Sequence, residues 1–121
     1  MYSARLLDHF ENPRNVGELP PPAVTVEVSN PACGDILRLS LASGGGQIVR
    51  ALYKTRGCTA SIACGSALTE WLIGKSLAEA GAIRVSDIED AVGGLTPESK
   101  HAAVLAVDAV RAAIRKTGPP R

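Results

Sequence analysis

Aromatic side chains are scarce in this chain: one Trp, two Tyr and one Phe stand among 121 residues. A core built around large rings is thereby excluded, and the interior must close on small aliphatic groups, with 18 alanines as the main supply. Cysteine is also sparse, at Cys33, Cys58 and Cys64. An odd number of so few does not suggest a disulfide framework and favours reduced thiols that act as ligands or nucleophiles. Neither sign of charge dominates, since 13 Lys and Arg against 12 Asp and Glu leave +1. Such a balance provides no general pull toward nucleic acid or an anionic membrane. No apolar run approaches the ~20 residues of a membrane span, and no basic-then-apolar leader opens the chain. The expected compartment is the cytosol.

What remains is an ordinary globular composition, 45% hydrophobic and 21% charged, of a length that fits one domain over residues 1–121. Ser3 to Phe10 reads as a short helix with Leu6, Leu7 and Phe10 on its apolar side. Asn12-Pro13 stops it, because a residue before proline is pushed out of the helical region. Three segments then alternate with period two: Val24-Val26-Val28, Leu37-Leu39-Leu41, and Val49-Ala51-Tyr53. Ser43-Gly44-Gly45-Gly46 joins the last two as a hairpin loop. From Thr59 to Ile73 the pattern turns helical, with Ala60, Ala63, Cys64, Ala67, Leu68 and Trp71 on one stripe. Ser76-Leu-Ala-Glu79 and Ser86-Asp-Ile-Glu89 match the capping box, and Thr96-Pro97 opens a last helix that reaches about Thr117. The expected fold class is α+β, a small three-stranded antiparallel sheet with helices packed on one face.

Three places collect groups with chemistry: the turn Cys33-Gly34-Asp35, the strand-to-helix junction Gly57-Cys58, and His101 in the second turn of the last helix. Cys58 carries the strongest physical argument. A thiol just ahead of a helix meets unpaired backbone N–H groups and the positive end of the helix dipole, which favour thiolate. Lys54 and Arg56 lie nearby in sequence. Cys33 beside Asp35 pairs a thiolate with a carboxylate, both ligands for zinc or iron. Cys64 follows Cys58 by six residues, roughly 9 Å of rise and about 240° of rotation on a straight helix. It reads as a core thiol, with a displaced ligand as the alternative.

Asp8-His-Phe-Glu-Asn-Pro-Arg-Asn-Val-Gly17, Pro31-Ala-Cys-Gly-Asp35, Tyr53-Lys-Thr-Arg-Gly-Cys58 and Thr69-Glu-Trp-Leu-Ile-Gly-Lys-Ser76 together resemble the IscU-like iron–sulfur cluster assembly scaffold family. That family includes the N-terminal domain of NifU and the SufU proteins. The resemblance runs in order from Tyr2 to about Lys116. It implies the same sheet-and-helix fold and an assembly site holding iron, a nascent 2Fe–2S cluster, or zinc. Carried onto this chain, the implied ligands are Cys33, Asp35, Cys58 and His101, with Cys58 or Cys33 as sulfur acceptor. The implied partners are a cysteine desulfurase, apo iron–sulfur recipient proteins and, as a weak association, a second copy of the chain. Neither nucleic acid nor membrane is among them.

The chain departs from the family pattern where a His-Cys pair is expected, because it reads His101-Ala102. A third ligand cysteine is missing there. The Leu-Pro-Pro-Val-Lys segment that binds an Hsp70-type chaperone is replaced by Leu95-Thr-Pro-Glu-Ser99, so that partner is not implied. The insertion typical of the SufU branch between the last two ligand sites is absent too. The favoured reading is a non-enzymatic scaffold, or a diverged paralogue, that receives sulfur and holds iron or a labile 2Fe–2S cluster for transfer. The alternative is a zinc-binding persulfide relay or a desulfurase-interacting adaptor that no longer builds clusters. A nucleophilic enzyme based on Cys58 and His101 ranks last, since no oxyanion site can be read.

Overall fold

The computed structural model describes residues 2–31 and 34–117. Strands β1 (Val24–Asn30), β2 (Asp35–Gly44) and β3 (Gln47–Arg56) form an antiparallel sheet in the order β1-β2-β3. The register aligns Val24, Leu41 and Ala51, then Val26, Leu39 and Tyr53, then Val28, Leu37 and Thr55. These rows put the alternating apolar side chains on one face. Gly45 and Gly46, at φ of 62° and 80°, make the turn between β2 and β3, two successive positive φ angles that a two-residue hairpin requires.

Helix α2 (Thr59–Leu72) packs on β3, and α5 (Lys100–Thr117) crosses β1 and β2. Both cover the apolar face. The shorter helices α1 (Ala4–Glu11), α3 (Leu77–Gly81) and α4 (Val85–Ala91) pack on these two: α1 on α2, α3 on α5, and α4 on both. Outside the helical layer, the opposite sheet face aligns Glu27, Arg38 and Lys54. Arg38 there bridges Glu27 at 3.1 Å and Glu18 at 3.0 Å.

Small residues let α2 be buried nearly all round. Ala60, Ser61, Ala63, Cys64, Gly65, Ser66, Ala67, Leu68, Thr69 and Leu72 are all buried, well beyond the single stripe expected. At Gly65 the approach is closest, because a β-carbon there would lie 2.4 Å from the Tyr53 ring. Tyr53 in turn donates its hydroxyl to the Ile62 carbonyl at 2.8 Å. Tyr53 thus acts as a wedge against the α2 backbone.

Three sequence expectations are corrected. Leu7 and Phe10 do not share the buried side of α1, where Leu6 and His9 stand instead, and both are exposed. A helix this short presents one narrow line to α2, and Leu6 and His9 at i and i+3 occupy it. The second capping box does not start at Ser86: the N-cap of α4 is Arg84, two residues earlier, and Asp87 accepts from the Arg84 backbone N–H at 2.8 Å. Pro97 opens a 3₁₀ turn, Pro97–Ser99, ahead of α5, so His101 is the second residue of the α-helix proper.

Candidate metal centre

Asp35, Cys58 and His101 come from three elements and meet at one end of the sheet. Asp35 begins β2 and is only 5% exposed. Cys58 is the N-cap of α2, with extended backbone (φ −76°, ψ 172°) and a thiol that caps nothing. It is solvent-exposed. His101 projects from the first turn of α5. His101 Nε2 lies 3.2 Å from Asp35 Oδ2, and Cys58 Sγ lies 3.7 Å from that oxygen and 3.8 Å from Nε2.

Those separations match what one ion would require. Ligand atoms 2.0–2.3 Å from a tetrahedral centre lie about 3.3–3.8 Å from each other. The orientation of His101 is also settled by its other nitrogen. Nδ1 lies 2.9 Å from the Glu98 carbonyl, which only accepts, so Nδ1 carries a proton and Nε2 faces the other two donors. A backbone carbonyl behind the imidazole is the usual outer partner of a metal-bound histidine.

Two neighbours shape the centre. Ser61, three residues after Cys58, is buried and donates its hydroxyl to Asp35 Oδ2 at 2.5 Å, while lying 3.5 Å from Cys58 Sγ. Gly57 backs the carboxylate, since a β-carbon there would stand 2.7 Å from Asp35 Cγ. Glycine at that position is what lets β3 and the buried carboxylate share the space. Ser61 was not singled out from sequence. The available signal was its spacing, because residues three apart at a helix start share a face.

Of the other candidates, Cys33 lies outside the described residues. Ala102, beside His101, is buried at 2% exposure and offers no donor atom. Cys64 sits in the core at 1% exposure, and burial pushes its thiol up to about 12. It is not part of the group formed by Asp35, Cys58 and His101. Lys54 and Arg56 are exposed and, by strand alternation from Tyr53, stand on the sheet face turned away from the helices. They therefore turn away from the helical layer, and what the fold gives Cys58 is its place as the N-cap of α2.

The model of the NifU-like N terminal domain matches residues 1–117. The chain belongs to that family. Among NifU-like relatives, the iron–sulfur cluster assembly scaffold protein IscU of Haemophilus influenzae is 46% identical over 117 residues, covering 93% of this chain and 92% of the relative. A Drosophila melanogaster protein named iron–sulfur cluster assembly enzyme IscU is 43% identical over 118 residues, covering 94% of this chain and 76% of the relative. The crystal structure of the N-terminal part of a nitrogen-fixing NifU-like protein from Brucella abortus superposes with a TM-score of 0.73 at 19% identity, covering 94% of this chain and 92% of that one. This likeness bears on fold, and agrees with the three-stranded sheet and its helical layer. Among the described residues, no helix of this NifU-like chain is long and apolar enough to cross a membrane.

Proposed function

We propose that this chain, taken as one unit over residues 1–121, is an iron–sulfur cluster assembly scaffold. It receives sulfur from a cysteine desulfurase, holds iron or a labile 2Fe–2S cluster as cargo, and passes it to apo recipient proteins. The observation that carries the reading is the convergence of one thiol, one carboxylate and one imidazole at tetrahedral spacing. Cys33, two residues before Asp35 in sequence, is the proposed fourth ligand. The ligand set is then two sulfurs, one oxygen and one nitrogen, and histidine is known to replace cysteine on one iron of Rieske-type clusters.

Sulfur receipt uses Cys58, the exposed thiol among the described residues, with Cys33 as the second acceptor. The Cys58 thiolate attacks the terminal sulfur of a persulfide on the desulfurase, the donor thiolate leaves, and Cys58 carries the new S–S bond. Atoms and electrons balance without an oxidant. Reduction of that sulfur to sulfide takes two electrons from a reductant outside the chain. The C–S bond chemistry belongs to the desulfurase, so the chain's part is holding and handing over. A hard carboxylate ligand in place of a thiolate leaves a bound cluster more labile than an all-cysteine one, which suits a protein that must release its cargo.

Zinc is the second reading, because the same N, O and S donors complete a tetrahedral zinc site. The deciding experiment is anaerobic reconstitution with ferrous iron, L-cysteine and a cysteine desulfurase, followed by visible absorption and metal analysis. A cluster in the wild type that is lost in Cys58→Ala and kept in Cys64→Ala supports the scaffold. Dependence on Cys64 as well shows that the third ligand has moved into the core helix. Absence of a cluster with one zinc per chain replaces the scaffold by the zinc-bound persulfide relay.

A further inference from the structure

Ser61 has no place in the ligand set, yet it makes the shortest polar contact at the centre. Its hydroxyl donates to Asp35 Oδ2 at 2.5 Å. That oxygen is also the one facing His101 at 3.2 Å and Cys58 at 3.7 Å. A carboxylate oxygen has two lone-pair directions. Ser61 takes one of them, which leaves the other for an ion within reach of the imidazole and the thiol. Both residues are 5% exposed, so water has little room to substitute for the hydroxyl.

We propose that Ser61 is a positioning residue for cargo binding, which holds Asp35 as a single-oxygen ligand and orients that oxygen toward Cys58 and His101. The assignment rests on the metal-centre reading given above. Its basis is rigidity. Gly57 closes one side of the carboxylate and Ser61 closes another, so the side chain is held in one rotamer before any ion arrives. Without the hydroxyl, Asp35 is free to turn Oδ2 away or to offer both oxygens. Outer-shell partners of this kind typically change metal affinity about 10–100-fold.

The test is zinc affinity, measured anaerobically by competition with a chromogenic chelator, so no cluster assembly is needed. Wild type, Ser61→Ala, Ser61→Thr, Asp35→Asn and the Asp35→Asn/Ser61→Ala double variant are compared, with thermal melts of each metal-free protein. Alanine in the first turn of α2 favours the helix, so Ser61→Ala retains the fold. The expected result is an affinity loss of about 10–100-fold in Ser61→Ala, recovery in Ser61→Thr, and no further loss from Ser61→Ala once Asp35 is Asn. Unchanged affinity in Ser61→Ala overturns the inference, and so does an equal loss in the Asn background, which would mark a general structural role. Wild type that binds no zinc overturns the metal-centre reading itself and this inference with it.

Discussion

At the scale of single residues, the centre depends on what is small as much as on what can ligate. Gly57 contributes no atom to the donor set, but the space its missing β-carbon leaves is filled by the Asp35 carboxyl group. A Gly57→Ala substitution puts a methyl 2.7 Å from Asp35 Cγ, well inside van der Waals contact, and the carboxylate must rotate out. We expect this variant to stay folded and to lose at least about tenfold in zinc affinity, comparable to loss of an outer-shell partner. Isothermal titration of the metal-free protein checks it, and wild-type affinity would show that the carboxylate is dispensable. Cys58 was legible in sequence because a thiol just ahead of a helix has a physical argument of its own, whereas a turn aspartate and a helix histidine are common, and Asp35 and His101 stood out only through the family resemblance. Ser61 was not legible, since a serine in the first turn of a helix is unremarkable until the fold brings a carboxylate from 26 residues away to meet it.

At the scale of elements, α1 is held on α2 by Leu6, fully buried, and by a polar contact at His9. Burying a Leu side chain contributes roughly 1.5–3 kcal/mol. Ser66 Oγ accepts from the Arg14 backbone N–H at 2.9 Å, and because the Arg14 guanidinium beside His9 Nδ1 can only donate, that nitrogen accepts the Ser66 hydroxyl at 2.7 Å. Arg14 also places its guanidinium 3.2 Å from that nitrogen, while Glu70 stands 3.7 Å from Nε2. Burial, and after it the Arg14 charge, hold His9 below the ordinary histidine value, with Glu70 and Asp8 opposing. The folded state therefore takes up this proton less readily than the unfolded chain. The associated stability is present above the ordinary histidine range of about 6.5 and is lost as pH falls through the lowered value. Thermal melts at pH 7.5 and 5.5 are expected to show a larger drop for wild type than for His9→Gln. Equal drops would remove His9 as the cause. Hydrophobicity alone puts Leu7 and Phe10 with Leu6 on the apolar side of this helix. It does not register that His9 has a buried hydrogen-bond partner, Ser66, on α2.

At the scale of the whole molecule, the donors are spread over the chain, from Asp35 to His101, and each sits at an end of an element rather than in its middle. An ion held by all three ties β2, the start of α2 and the start of α5 together, and binds the folded state alone. Ligand-linked stabilisation at zinc 100-fold above its dissociation constant is about 2.7 kcal/mol. The melting temperature should then rise by roughly 10 °C for a chain of this length. Differential scanning calorimetry with and without zinc measures it, with Cys58→Ala as the control that should rise less. No shift in the wild type would mean that the three groups do not act as one site.

The sequence by itself determined the fold class, the strand and helix order, and the chemical kinds available at the centre. Periodicity, turn glycines and caps are local properties, carried within a few residues of chain. The family resemblance implied Cys33, Asp35, Cys58 and His101 as a set, of which Asp35, Cys58 and His101 lie among the described residues. Only the tertiary structure decided which atoms of the described donors face one another, that His101 presents Nε2 because Glu98 takes Nδ1, and that Cys64 belongs to the core. It alone brought Ser61 to Asp35. Separations of 2.5 to 3.8 Å between side chains far apart in sequence are set by how α2 and α5 pack on the sheet. That packing is a sum over many contacts, which no short stretch of sequence contains.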